Sequence, residues 1–391
     1  MSMETLIELY DERPLENVLA AEMFRPRRVV YICPESAARD QALQKKMRSY
    51  FGYRGQRVEL VFFKADVYDA GAILTLLRSI VERFPDCAVD ITGGTDAVLF
   101  AAGMLSAETE IPVFTYSRKK NCFYNIKNAD FAAGLPCDLH YRVEDFFRMA
   151  GGSVREGRVD NAILSRYMQD FDPFFRVYLD NRRDWTRIVT YIQRISQGGQ
   201  DGSYSLLASG TRVVKGERGS HIEVPEGALR ALADIGFISE LRFEDERVSF
   251  RFRDAQIRAW LRDVGSVLET YVYKACLDTG IFDDVRTSVV VDWEGEAKGN
   301  AVSNELDVMC SRGVVPLFIS CKTCDVKTEA LNELAILRDR FGGQMAKAAI
   351  VTAERGNARM RNRAAELNIR VIDLSDLAAD RLQKRLLACM S

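Results

Sequence analysis

Histidine is almost missing from this chain: His140 and His221 are the only two among 391 residues. Neither follows an arginine at the interval of an R-x4-6-H ribonuclease motif, which argues against histidine acid–base catalysis. Long apolar runs are missing too. No stretch of about 18 apolar residues occurs, and Met1-Ser2-Met3-Glu4 lacks the basic-then-apolar order of a signal, so no membrane partner and a cytoplasmic location are expected. Net charge is nearly absent, at −2. That excludes a protein that simply coats nucleic acid, because sequence-independent affinity comes mostly from Lys and Arg at phosphates. Neither G-x-G-x-x-G nor G-x-x-x-x-G-K-[ST] occurs, so neither a dinucleotide cofactor nor NTP hydrolysis is supported. The nine cysteines follow no regular framework and suit a reducing compartment. Cys321 and Cys324 form a C-x-x-C, but Cys276 and Cys310 provide no second pair at matching spacing, and zinc is not expected.

What is present concentrates near the C-terminus. Glu305-Leu306-Asp307-Val308-Met309 and Val315-Pro316-Leu317-Phe318-Ile319 are apolar runs bounded by Ser311-Arg312-Gly313, which predicts a β-hairpin that brings Asp307 close to Lys322. By itself such a pair also fits an ordinary cross-strand salt bridge. Before it, residues 255–278 place Ile257, Trp260, Leu261, Val264, Leu268, Tyr271, Val272 and Ala275 on one helical stripe. Glu269 stands at its edge, one turn after Gly265, whose missing side chain leaves room for a carboxylate.

A helix carrying Glu, a strand carrying Asp and a strand ending in Lys resembles the PD-(D/E)xK nuclease core. The resemblance implies that Glu269 and Asp307 hold Mg2+ or Mn2+, while Lys322 orients the attacking water and offsets charge building on the phosphorane. The chain departs from the pattern at Ser320, where the family usually has an acid, and a hydroxyl is a weak metal ligand. Either the metal is held by Asp307, Glu269, the Cys321 carbonyl and waters, or another carboxylate substitutes. Glu333, on the helix predicted around residues 330–337, is the candidate substitute, and a solvated helix face is its plainer reading. Glu305 is a further candidate.

Residues 1–130 alternate strand and helix: strands at 28–32, 58–63 and 88–92, helices at 37–50, 71–84 and 96–108, then a hairpin of 112–116 with 122–126. Short apolar strands between amphipathic helices predict a mostly parallel Rossmann-like sheet with its crevice at the strand C-terminal ends. Two loops leave those ends, one with Cys33, Pro34 and Ser36, the other Thr92-Gly93-Gly94-Thr95. The glycines permit close backbone approach, and free N–H groups at the helix start favour an anion. A tight strand-to-helix turn with Thr95 as N-cap explains the same residues. Basic clusters occur at 25–28, at Arg118-Lys119-Lys120 and between Arg355 and Arg363; most such clusters are solvated surface.

The Asp90-Ile91-Thr92-Gly93-Gly94-Thr95 turn, joined in this order to the nuclease core, resembles the CARF-domain nucleases of type III CRISPR systems. The resemblance implies a homodimer that binds a cyclic oligoadenylate, most often cyclic tetra-adenylate, through Cys33, Pro34, Ser36, Thr92, Gly93, Gly94, Thr95 and Lys120. It also implies metal-dependent cutting of nucleic acid once the messenger is bound. Between the ends, glycines at 151–152 and the charged residues 155–158 read as a linker. A helix with Trp185, Ile188, Val189 and Ile192, a second at 227–235, and a hairpin turning at Glu244-Asp245-Glu246 suggest a winged-helix-like module whose acidic turn disfavours phosphate contact. The expected organisation is α/β: a Rossmann-like CARF domain (1–150), a linker and winged-helix-like module (151–254), and a PD-(D/E)xK domain (255–391). The rival expectation is a CARF and winged-helix transcription regulator with a non-catalytic C-terminal domain.

Overall fold

The structure is a computed structural model that describes residues 3–156, 160–196, 205–216, 219–293 and 303–391. In the N-terminal sheet the strands run in the order Glu59–Ala65, Arg28–Pro34, Thr5–Leu9, Cys87–Asp90, Val113–Ser117, Cys122–Lys127. All pairings are parallel except the final hairpin. The expected strands are all there and so are the helices, except that the one expected at 37–50 is two, Glu35–Arg39 and Gln41–Tyr53, divided at Asp40, whose side chain caps the second; the sheet also has one more strand, Thr5–Leu9, and it lies at the centre. Its five residues are all buried. Leu6 enters one core while Ile7 and Leu9 enter another, so both faces are covered and the half-buried alternation that marks a strand in sequence never develops. Strand order reverses between Thr5–Leu9 and Cys87–Asp90, and in open α/β sheets the ligand crevice lies at that point. Cys33 and Pro34 are the last residues of a strand rather than a loop, and the Glu35–Arg39 helix starts immediately.

The middle module has helices Phe171–Asn181, Trp185–Ile195 and Glu226–Asp234 beside a three-stranded sheet ordered Ile238–Phe243, Arg247–Phe252, Leu207–Thr211. This is the expected winged-helix-like arrangement. The C-terminal sheet runs Ile369–Ile372, Lys347–Thr352, Val315–Lys322, Ser303–Arg312, Asp284–Asp292, Ser153–Glu156. Its last strand corrects the linker expectation: Ser153–Glu156 pairs antiparallel with Val289 to Asp292. The glycine that suggested flexibility is needed for close packing, since a Cβ on Gly152 would stand 2.8 Å from the Asp292 carbonyl oxygen.

The long helix expected over 255–278 is two helices, Ala255–Trp260 and Ser266–Asp278. Asp263 divides them, its Oδ1 accepting from the Gly265 N–H at 2.7 Å and the Ser266 N–H at 3.3 Å, in the manner of a helix cap. Both helices put their apolar residues into the same core, so one periodicity runs through the break.

The C-terminal sheet is covered on both faces. Trp185, Phe237, Trp260, Val272 and Ile319 share one core with the middle module, whereas Tyr31, Phe147, Phe318, Leu334 and Ile350 share another with the N-terminal sheet. The C-terminal sheet is thus the layer to which both other parts are fastened.

Candidate active site

A fault in the strand alternation shapes the site. Val308 and Cys310 lie in one core but Leu306 in the other, although residues two apart on a strand normally share a face. Opposite, Ser288 has φ 54°, a left-handed value uncommon for a side-chain-bearing residue. The strands therefore turn over at Asp307 and Ser288. Beyond the pair Val308 with Ile319 the ladder between the hairpin strands stops, and Asp307 takes over the next donor: its Oδ2 accepts from the Cys321 N–H at 2.6 Å. Ser320 Oγ and Lys322 Nζ reach the same oxygen at 3.0 and 3.5 Å.

Glu269 sits in the first turn of the Ser266–Asp278 helix. A Cβ on Gly265 would stand 2.7 Å from its Oε1, so the room that the small residue was expected to leave is used by the carboxylate. Burial, then the charges of Asp307, Asp263 and Glu305, push its pKa up to about 8 against the pull of Lys322. Burial also raises Asp307, more than Lys322, the Cys321 N–H and Ser320 lower it. Burial is the largest single influence on the Lys322 ammonium and works against it, but Asp307, Cys321 and Glu269 together outweigh it and the pKa rises.

This donor set fits a hard dication. Two carboxylates disfavour each other's charge, only one lysine answers them, and the three bonds to Asp307 all fall on Oδ2, leaving Oδ1 facing no donor among the described residues. Cys321 can contribute its carbonyl, since N–H and C=O of one strand residue project to the same edge. Its thiol is in the core, where burial raises its pKa well above normal. Among the described residues no three His, Cys, Asp or Glu side chains converge closely enough to hold an ion alone, so water would complete the shell.

The structure thus brings Glu269, Asp307, Ser320, Cys321 and Lys322 together. Glu305 contributes to the same electrostatic field but is exposed, with Oε1 accepting from Ser288 Oγ at 2.5 Å. Glu333 is not brought to Asp307. Asn304 intercepts it, donating from Nδ2 to Oε1 at 2.5 Å while Trp293 Nε1 donates to the Asn304 oxygen at 2.7 Å.

At the N-terminal crevice, Thr92 is fixed by its N–H and hydroxyl on Asp90 Oδ1, at 2.8 and 2.5 Å, while its Oγ1 accepts from the Tyr116 N–H at 2.9 Å. Thr95 occupies the N-cap position of the Asp96–Glu108 helix, but its hydroxyl donates to the Val67 carbonyl at 3.2 Å instead of capping. Gly94 has φ 98°, and its Cβ would stand 2.8 Å from Leu9 Cβ, so the turn itself requires glycine there. Cys33 is buried against the Phe63 carbonyl at 3.5 Å, Pro34 and Ser36 flank the start of the next helix, and exposed Lys120 lies 5.5 Å above the Tyr124 ring.

Because the central strand escaped the sequence reading, so did the residues that follow it. Asp11 Oδ1 and Oδ2 hold Arg13 at 2.7 and 2.6 Å. Glu16, only 2% exposed, accepts from Arg118 at 2.8 Å, and Arg118 reaches the Thr92 carbonyl at 3.5 Å. A Cβ on Gly93 would lie 3.5 Å from Glu16 Cβ, and one on Gly343 of the C-terminal part 3.7 Å from Glu16 Oε2. Glu16 therefore touches both the loop and the C-terminal sheet's surroundings. The available signal was Arg118 in its basic cluster.

A Rossmann-like sheet with a crevice at its strand reversal is thus joined to a mixed sheet that gathers Glu269, Asp307 and Lys322. The family match agrees: residues 258–389 match the family model described as Card1-like, endonuclease domain, and the C-terminal part of the chain is an endonuclease domain. Two solved structures share the fold along nearly the whole chain. Protein VC1899 from Vibrio cholerae aligns with TM-score 0.77 and 16% identity over 99% of this chain and 98% of its own. Can2 from Sulfobacillus thermosulfidooxidans, solved in complex with cyclic tetra-adenylate, aligns with TM-score 0.69 and 16% identity over 100% of this chain and 98% of its own. No curated protein matches by sequence.

Proposed function

We propose that this protein is a divalent-metal-dependent endonuclease of antiviral CRISPR defence, activated by a cyclic oligoadenylate and acting as a homodimer in the cytoplasm. The observation that carries the reading is the convergence of Glu269, Asp307 and Lys322 on one point of a sheet whose alternation breaks there. Asp307 and Glu269, with the Cys321 carbonyl, would hold Mg2+ or Mn2+. A bound dication supplies charge for the phosphoryl oxygens and acidifies a water. Lys322 orients the attacking water and offsets the charge that develops during phosphodiester cleavage. Ser320 serves by holding Asp307 in place, which accounts for a hydroxyl where the family usually has an acid.

Cyclic tetra-adenylate is the proposed activator, supported by the fold shared with the Can2 complex. Its phosphates would meet the N–H groups at the start of the Asp96–Glu108 helix and the Thr92 to Thr95 loop, with Arg118 at the rim. Incubation with Mg2+ or Mn2+, labelled single- and double-stranded DNA and RNA, and a panel of cyclic oligoadenylates tests the proposal. Cutting is expected only with metal and messenger together. Cutting that ignores the messenger, or none under any combination, overturns it.

A further inference from the structure

Among the described residues the Ile369–Ile372 strand pairs only with Lys347–Thr352, and no strand adjoins its other edge. Beside it opens a cavity of about 850 Å3, lined from the Ala358–Glu366 helix and from the C-terminal Leu382–Cys389 helix. Arg361 and Arg385 line it but are answered by Asp373 and Asp376. Lys347 and Arg370 line it too, with no carboxylate partner among the described residues. Both of these and Arg385 share the lining with the buried Cys389 thiol, and the one carboxylate side chain in that lining, Asp339, is paired with Arg338 at 2.7 Å. None of the lining residues is aromatic. A cavity that read bases would offer rings for stacking; this one offers charge beside an edge strand, which suits phosphate oxygens.

The cavity is also linked to the active site. Cys321, Val351 and Ile372 form one row across three adjacent strands, so the cavity wall at Ile372 lies about two strand spacings, roughly 10 Å, from Cys321. After its strand the chain bonds back to the Lys322 carbonyl through the Ala353 N–H at 2.9 Å. It then presents exposed Arg355 and Arg359, neither ion-paired among the described residues, before Arg361 enters the cavity lining. This is the basic stretch that the sequence alone left as solvated surface.

We propose that this cavity is an accessory site for the phosphodiester backbone of single-stranded nucleic acid, holding the substrate strand beyond the bond cut at Asp307 and Lys322. A flexible strand can follow cations into a recess, which a rigid duplex cannot. The proposal rests on the nuclease reading and adds the path of its substrate.

The test uses Lys347→Glu/Arg370→Glu and, as a milder pair, Lys347→Gln/Arg370→Gln, with binding of a labelled oligothymidylate measured in chelator across a salt series. Each lost phosphate contact on a single strand lowers the slope of log affinity against log salt by about 0.7, so a loss of about 1.4 is expected. With metal and messenger, KM for a long single strand should rise several-fold with kcat kept, while cleavage of an oligonucleotide too short to reach the cavity stays unchanged. A control of equal charge change on the N-terminal domain, Lys45→Glu/Arg57→Glu, should leave slope and KM alone. An unchanged slope in the charge-reversal pair, an equal loss in the control, or tighter binding of a polyglutamate peptide than of the oligonucleotide overturns the accessory site. A wild type that neither binds nor cuts nucleic acid brings down the nuclease reading with it; a wild type that cuts while both cavity variants match it brings down the accessory site alone.

Discussion

Replacing Arg118 by methionine strikes the point where the N-terminal crevice meets the C-terminal sheet. Glu16 Oε1 accepts from Arg118 Nε at 3.2 Å and from Nη2 at 2.8 Å. Glu16 Oε2 is buried without a hydrogen-bond partner among the described residues, so Arg118 is the side chain that hydrogen-bonds this carboxylate, with Arg13 adding a weaker charge interaction. Removing one partner of a fully buried pair costs about 3–5 kcal/mol, and an exposed pair is worth about 0–1 kcal/mol. Here the glutamate side chain is 2% exposed and the arginine 30%, which sets the pair between those limits. Arg118→Met should therefore cost about 2 kcal/mol. Glu16→Gln removes the charge that needs a partner, so the double variant should be less destabilised than the sum of the single ones by about 1 kcal/mol or more. Urea denaturation of the four proteins measures this. Additivity within about 0.5 kcal/mol would refute the energetic coupling. Since Arg118 also reaches the Thr92 carbonyl and Glu16 adjoins Gly343, the folded Arg118→Met protein should bind metal as the wild type does and lose most of its messenger-dependent cleavage.

Lys322→Ala should lower the cleavage rate by about 100-fold or more with little change in melting temperature, because Asp307 keeps its bonds from Ser320 and the Cys321 N–H; full activity in the folded variant sinks the assigned role. Glu269, raised from 4.5 to about 8, holds a proton in the folded state that the unfolded chain has released, so in chelator its stabilising contribution is complete below pH 4.5 and is lost as pH rises through 8. Scanning calorimetry should show melting temperature falling over that window, less steeply in Glu269→Gln; the same slope in both proteins contradicts the assignment. Titration calorimetry should give one cyclic tetra-adenylate per two chains, as a ring with repeated phosphates suits two copies of one loop across a two-fold axis, and a ratio of one per chain counts against a shared site.

Much of the C-terminal site was legible in the sequence because its signals are local. Alternation of apolar residues specified the hairpin that carries Asp307 and Lys322, and the interval from Gly265 to Glu269 specified a small residue one turn before a carboxylate. Thr5–Leu9 was not legible, since a short strand buried on both faces has no alternation to read, and with it went the Asp11, Glu16 and Arg118 surroundings of the crevice. Gly94 was read as an opening for a ligand, but Leu9 fills the space where its side chain would be; Gly94→Leu would disturb the turn and is a poor test of ligand binding.

The two α/β parts and the hairpin that carries Asp307 and Lys322 were determined by the sequence by itself, because periodicity reports which face of each element is buried; the roles of Glu269, Asp307 and Lys322 rest on the resemblance to the PD-(D/E)xK core. Which strands become neighbours depends on contacts between residues far apart, and local periodicity carries no information about those. Only the tertiary structure decided that Ser153–Glu156 closes the C-terminal sheet, that Asn304 takes Glu333 away from Asp307, and that the strand turns over at Asp307. The raised pKa of Glu269 belongs to that second class as well, since it comes from burial and from carboxylates on other elements, and charge acts through space rather than along the chain.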